Sequence, residues 1–197
     1  MLLGGDPGPR GRPLGLGPEP EDAPNLGTLV ASDDGPGYSA GERAMRFIDI
    51  LSEERVSTDL RAANKGDALL ALAELFAADD PTLDPRAIHD VLIERERLAS
   101  TGVGSGVAIP HGRIGSIDRL RAAVAISPVG IPFDAIDGAP VRIIVGVLAP
   151  QHHTGDHLRV LALVSRMLRS ADVRDRLLSA RGRESAFDVI ARADAAS

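Results

Sequence analysis

Apolar residues recur at helical spacing in several stretches of the chain. The clearest stretch is residues 66–78, where one apolar stripe is formed by Leu69, Leu72, Ala73, Phe76 and Ala77. A second helix is predicted over residues 85–98, because Pro85 suits a first helical turn. Residues 156–168 show the same periodicity, and two short helices are predicted at 171–179 and 184–192. The pattern thus predicts five helices.

Strand signals lie between these helices. Residues 55–60 alternate between polar and apolar positions, and the apolar runs at 122–127 and 141–149 are typical of buried strands. Residues 44–51 fit a short helix or a lead-in strand. The sequence contains no internal repeat. The sequence therefore predicts a single α/β (α+β) domain, a mixed β-sheet flanked by helices on both faces.

Composition separates the first part of the chain from the rest. Residues 1–41 hold 10 of the 21 Gly and 7 of the 14 Pro. Such a segment buries too little apolar surface to fold. We therefore expect a disordered tail over residues 1–43 and one folded domain over residues 44–197.

Charge and aromatic content argue against nucleic acid as a partner. The tail carries −4 of the chain's net charge of −6, which leaves the predicted domain nearly neutral. A protein that neutralises phosphates is usually basic, and one Tyr, four Phe and no Trp offer few surfaces for stacking bases.

The chain has no cysteine, which excludes disulfides, thiolate metal sites and a cysteine nucleophile. Its apolar runs are shorter than the roughly 20 residues of a membrane helix. The N-terminal residues show no basic segment followed by an apolar one, as a secretory signal would. We expect a cytoplasmic protein without membrane insertion.

Histidine is the residue type with an ordinary pKa near neutrality, so the five histidines are the first candidates for chemistry. His111 follows the apolar run 107–110 and precedes Gly112, which predicts a histidine presented at a tight turn. Asp156 is predicted to cap the helix at 156–168, with help from Thr154. His157 would then lie in the first turn, where helix N–H groups favour an anion.

Other interpretations of these residues are weaker. His153 and His157 have the i, i+4 spacing of a helical metal site, but His152 and His153 fall in a loop. His89 fits a surface position. The glycines at 102, 104 and 106 match neither a dinucleotide loop nor a P-loop, and no Gly-Lys-Ser/Thr follows.

Residues 95–113 read RERLASTGVGSGVAIPHGR, and this stretch closely resembles the signature of the enzyme IIA domains of the phosphotransferase system. The resemblance is to the fructose–mannitol and nitrogen-regulatory type. It continues at 132–141 (PFDAIDGAPV) and 157–161 (HLRVL), and spans roughly residues 46–192.

The resemblance implies a histidine phosphocarrier, and so a phosphotransferase component. His111 corresponds to the residue phosphorylated on Nε2, His157 to the histidine that contacts the phosphoryl group, and Arg95 to the arginine that orders the site. The resemblance assigns no role to His152 or His153, and the implied phosphoryl transfer requires no cofactor or metal.

The implied partners are a phospho-HPr-type donor and either an enzyme IIB on a separate chain or a regulated target protein. A non-catalytic regulatory or ligand-binding module on the same fold is the alternative.

Overall fold

Two long apolar strands form the centre of a six-stranded mixed sheet in the computed structural model, which describes residues 45–151 and 155–196. These two strands are antiparallel neighbours. The six strands are β1 (Leu51–Ser57), β2 (Gly102–Gly104), β3 (Val107–Ala108), β4 (His111–Ile114), β5 (Arg121–Ile131) and β6 (Val141–Pro150). Their order is β1-β5-β6-β3-β2, and β4 also pairs with β6. Within the described residues the sheet has parallel and antiparallel pairs.

Residues 107–114 run along one edge of β6 as two short parallel strands. Val107 of β3 lies opposite Ile143, and His111 of β4 lies opposite Val147. Pro110 separates the two strands, and its carbonyl accepts a hydrogen bond from the Val147 amide at 3.0 Å. This pairing fixes the position of His111 along β6, opposite Val147.

Five helices cover the sheet. They are α1 (Lys65–Phe76), α2 (Pro85–Leu98), α3 (Gly155–Arg169), α4 (Ala171–Ser179) and α5 (Arg183–Ala195). Side chains of Asn64, Asp84 and Ser170 accept hydrogen bonds from first-turn amides of α1, α2 and α4, which stabilises these starts.

The sheet has an apolar core on each face. On β5, Ala122, Val124 and Ile126 belong to one core, whereas Ala123 and Ala125 belong to the other. The first core is completed by α3, α4 and α5, and the second by α1 and α2. Successive strand side chains point to opposite faces, so each face needs its own helical layer. This arrangement confirms the predicted mixed sheet between helices.

The element boundaries confirm some predictions and correct others. The predicted bounds of α2 and α4 agree with the structure. The first strand lies at Leu51–Ser57 rather than at residues 55–60, because a register shift between Leu51 and Val56 breaks the simple alternation. The uncertain stretch 44–51 contains a 3-10 helix, Phe47–Ile50, that leads into β1.

The start of α3 also differs from the prediction. The helix begins at Gly155, so Asp156 lies inside the first turn instead of capping it, and it pairs with Arg159 at 3.4 Å. Thr154, the proposed helper, lies outside the described residues, as does the tail segment 1–43. Over residues 45–151 and 155–196, no helix combines the length and apolar character needed to cross a bilayer.

Candidate active site

His111 is the first residue of β4 and is half-buried. The prediction of a tight turn was wrong, since the backbone here is a strand that pairs with β6. Gly112, the next residue, lies directly against α2. A Cβ at this position would collide with Cγ1 of Val91, so glycine lets α2 pack directly against β4. That close packing brings the end of α2 to the His111 ring.

Two hydrogen bonds fix the His111 imidazole. Nδ1 lies 2.8 Å from the carbonyl oxygen of Ile109, and Arg95 Nε donates to Nε2 at 3.0 Å. A carbonyl only accepts and a guanidinium only donates. The ring must therefore carry its proton on Nδ1 and keep a lone pair on Nε2. This is the tautomer in which Nε2 is the nucleophilic nitrogen.

The surroundings of His111 keep it neutral. Burial is the largest cause that lowers its pKa. The hydrogen bond to the Ile109 carbonyl opposes this, the charge of Arg95 lowers the pKa further, and the charge of Glu96 has a smaller opposing effect. Protonation would also place an N–H on Nε2, facing the Arg95 donor. At pH 7 the ring is thus a neutral imidazole with a proton on Nδ1 and a nucleophilic lone pair on Nε2.

His157 lies beside His111, as the sequence predicted. It is in the first turn of α3, only 6% exposed, and its ring centroid is 5.5 Å from that of His111 at an interplanar angle of 55°. Its Nδ1 is buried and has no hydrogen-bond partner within the described part of the chain.

Burial is the largest cause that lowers the pKa of His157, to about 4, and the neighbouring His111 and Arg113 act in the same direction. A second proton would have to be held on a buried nitrogen that has no acceptor. Of the protonated and the neutral form of His157, only the neutral form fits the unphosphorylated site.

Arg95 connects the end of α2 to the site. Besides its bond to His111, it donates from Nη1 to the carbonyl of Ala99 at 3.1 Å. The three predicted site residues, His111, His157 and Arg95, are therefore brought together from β4, α3 and α2.

Sequence reasoning missed a buried carboxylate next to Arg95. Glu96 is 6% exposed, and its Oε2 accepts hydrogen bonds from the Thr101 amide at 2.9 Å and the Thr101 hydroxyl at 2.6 Å. The spacing in the sequence could have indicated this burial. Glu96 follows Ile88 and Leu92 at intervals of four residues, which places all three on the buried face of α2. A carboxylate on such a face needs partners.

The second sequence motif, residues 132–141, packs on the glycine-rich segment. Gly102 lies so close to Ala135 that an added Cβ would be 2.7 Å from its Cα. Asp137 accepts a hydrogen bond from the Ser105 amide at 2.8 Å. Residues 102–108 form the hairpin β2–β3, supported by this loop, rather than a nucleotide-binding loop.

His89 does not join this site. His89 lies on α2, 3.8 Å from the exposed Asp90 carboxylate. His152 and His153 lie outside the described residues, so the metal alternative that pairs His153 with His157 is untested. Across the ranges 45–151 and 155–196, no three His, Asp or Glu side chains cluster closely enough to hold a metal ion.

Comparison with known proteins gives concordant matches. The family model "Phosphoenolpyruvate-dependent sugar phosphotransferase system, EIIA 2" matches residues 49–193. A nitrogen regulatory protein of Pseudomonas aeruginosa is 37% identical over 146 residues, which cover 74% of this chain and 95% of the relative. A PTS system fructose-specific EIIA component of Haloferax volcanii is 39% identical over 139 residues, 70% of this chain and 90% of the relative.

A solved structure agrees with these relatives. The crystal structure of nitrogen regulatory protein IIA-Ntr from Neisseria meningitidis superposes with a TM-score of 0.68 at 29% identity and covers 73% of this chain and 97% of that protein. The matches define the class of protein, a component of the phosphotransferase system. Within that class, the chain belongs to the EIIA type 2 family.

Proposed function

We propose that this protein accepts a phosphoryl group on Nε2 of His111 from a phospho-HPr-type donor and then passes it on. The observation that carries the proposal is the state of the His111 ring. Its Nδ1 proton is held by the Ile109 carbonyl, and among the described residues its Nε2 lone pair meets the Arg95 side chain alone. A neutral imidazole with a fixed, available lone pair is the nucleophile that such a carrier needs.

The transfer exchanges one phosphorus–nitrogen bond for another. The Nε2 lone pair of His111 attacks phosphorus in line as the bond to the donor histidine breaks, and the leaving nitrogen keeps that electron pair. The proton on Nδ1 stays at the Ile109 carbonyl throughout. Similar entering and leaving groups make the step nearly reversible, which suits a carrier.

Arg95 has two positions in this scheme. Before transfer its Nε–H covers Nε2, so it must move aside for phosphorus to approach. It then donates to a phosphoryl oxygen, where its permanent charge stabilises the charge spread over those oxygens. His157, beside His111, contacts the same group as a neutral donor and does not carry phosphate itself.

The surface near the site suits a protein partner. Leu98 at the end of α2 is 82% exposed, and Leu158 beside His157 is 62% exposed. Large apolar side chains exposed next to reactive groups are typical of contact surfaces. We include in the proposal an enzyme IIB or a regulated protein as the onward partner. The proposal also includes a cytoplasmic location, where phosphoenolpyruvate is available to charge the donor.

Labelling tests the proposal. The protein is incubated with phosphoenolpyruvate, enzyme I and HPr, and its intact mass is measured. We expect one added phosphate that is labile in acid and stable in alkali, no labelling of His111→Ala, and normal labelling of His89→Ala as the control. Undiminished labelling of His111→Ala would show that another residue accepts the phosphate. No labelling of the wild type would favour the alternative, a non-catalytic regulatory module on this fold.

A further inference from the structure

The Nδ1 proton of His111 depends on the position of one backbone carbonyl. That carbonyl belongs to Ile109, which lies between the short strands β3 and β4. Only a carbonyl placed in the plane of the ring and within about 3 Å can hold the proton on Nδ1. Whatever fixes the backbone of Ile109 therefore also helps to fix which ring nitrogen is nucleophilic.

A continuous set of hydrogen bonds anchors Ile109 through its amide, on the other side of its Cα from the carbonyl. The Ile109 amide donates to the carbonyl of Thr101 at 3.0 Å. Both the amide and the hydroxyl of Thr101 donate to one oxygen of Glu96, Oε2. The connection therefore runs from Glu96 through Thr101 and Ile109 to Nδ1 of His111.

Glu96 is held from its other side by a lysine. Lys65 Nζ, at the start of α1, lies 3.2 Å from Oε1 of Glu96 and 2.8 Å from Asp134. Burial alone would lower the pKa of Lys65, but its contacts with Asp134 and Glu96 outweigh burial and raise it. Lys65 thus stays a cation beside a carboxylate that is almost completely buried.

Arg95 and Glu96 act on the two nitrogens of the same ring. Arg95 reaches Nε2 directly, whereas Glu96, the next residue of α2, reaches Nδ1 through the backbone. We infer that Glu96 is a positioning residue that keeps His111 in its Nδ1–H tautomer by anchoring Thr101 and thereby the Ile109 carbonyl. The consequence for phosphoryl transfer rests on the proposed function, but the tautomer itself does not.

Nitrogen NMR of the unphosphorylated protein tests this inference. Long-range proton–nitrogen spectra distinguish a protonated from an unprotonated imidazole nitrogen, so they report the tautomer ratio of His111 at pH 7.5. The variants are Glu96→Gln, whose amide group would face Lys65 with a donor, and Thr101→Val, which removes only the hydroxyl. Glu94→Gln is the matched control, since Glu94 is exposed on the same helix.

We expect the Nδ1–H form to dominate in the wild type and in Glu94→Gln. In Glu96→Gln and in Thr101→Val the ratio should shift toward the Nε2–H form by about 2- to 10-fold, the effect of weakening one hydrogen bond. A purely structural role would lower the melting temperature and leave the ratio unchanged. The rate of His111 labelling should fall in step with the lost Nδ1–H fraction.

A wild-type tautomer ratio in Thr101→Val and in a folded Glu96→Gln would overturn the inference, as would an equal shift in Glu94→Gln. If Glu96→Gln does not fold, Thr101→Val decides alone, because valine keeps the volume of the buried side chain. If the inference about Glu96 is overturned, the proposal that His111 accepts phosphate still stands, because labelling tests it separately. Absence of labelling, in turn, leaves the tautomer measurement valid.

Discussion

The two helical layers of the sheet each bring one side chain to His111, and the two side chains differ in what they can do before phosphate arrives. Arg95, from the layer of α1 and α2, already donates to Nε2 and carries a permanent charge. His157, from the layer of α3, α4 and α5, is neutral, and its Nδ1 has no partner among the described residues. In the proposed carrier, one layer would prepare the nucleophile, and the other would contact the phosphoryl group after transfer.

This difference has a physical cause in burial. A guanidinium keeps its charge when it reaches a site from a half-exposed helix end, whereas a buried imidazole loses its proton. Within residues 45–151 and 155–196, Arg95 is the cation that donates directly to Nε2 of His111 at rest. The dianionic phosphoryl group then provides the interaction that favours a donor proton on His157.

The largest effect is expected for Arg95→Ala. Loss of an arginine that stabilises a transferring phosphoryl group costs about 10³-fold in rate, at the low end for arginines in this role. Labelling of His111 is followed by rapid quench and intact mass. Arg97→Ala is the control, since Arg97 is exposed and lies two residues further along the same helix. A loss of less than about 10-fold would mean that Arg95 is only a scaffold residue.

A smaller effect is expected for His157→Ala. Loss of one charge-assisted hydrogen bond costs roughly 1.5–3 kcal/mol, or about 10- to 150-fold, with onward transfer affected most. His111 should still be labelled, more slowly than in the control His89→Ala. Wild-type rates would make His157 a bystander, and phosphate on His157 in the wild type would reverse the two roles.

The third prediction concerns stability and pH. Because the pKa of His157 is about 4 in the folded protein and about 6.5 in the unfolded chain, the unfolded chain binds more protons between these values. Stability from the neutral ring is complete above pH 6.5 and is lost as the pH falls toward 4.

Urea unfolding measures this loss. Between pH 7.5 and pH 4.5 the free energy of unfolding of the wild type should fall by ~2–3 kcal/mol more than that of His157→Gln, which does not titrate. Equal losses in both proteins would show that His157 is not desolvated, and the contrast between the two layers would disappear.

The smallest effect is expected from removing the tail. A chain that begins at Arg43 should keep the melting temperature and labelling rate of the full chain within error, because the composition of residues 1–41 disfavours a packed core. A large loss of either would mean that the first 42 residues contribute to the domain, and that composition misjudged them.

Sequence patterns predicted the parts of the fold that depend on local periodicity. The bounds of α2 agreed because Pro85 and the apolar positions at intervals of three and four mark that helix independently of its neighbours. The apolar stripe of α1 was correct for the same reason. In α3 the apolar character of the side chains does not give the buried face, since Leu158 is exposed and the neighbouring His157 is buried.

The remaining features depend on distant partners. Phe47 starts a 3-10 helix because Asp194, 147 residues away, accepts a hydrogen bond from its amide at 3.1 Å. The strands β3 and β4 are two and four residues long and exist through their pairing with β6. His111 and His157 were identified by resemblance and local position, but their separation, their tautomer and the role of Glu96 needed three-dimensional packing.

The central claim is that Nε2 of His111 carries the phosphoryl group while His157 only contacts it. Long-range proton–nitrogen and phosphorus spectra of the phosphorylated, nitrogen-15-labelled protein test it most directly. We expect phosphorus to couple to Nε2 of His111, while Nδ1 of the same ring stays protonated. His157 should carry no phosphorus. Phosphorus bound to Nδ1 of His111 or to either nitrogen of His157 would contradict it.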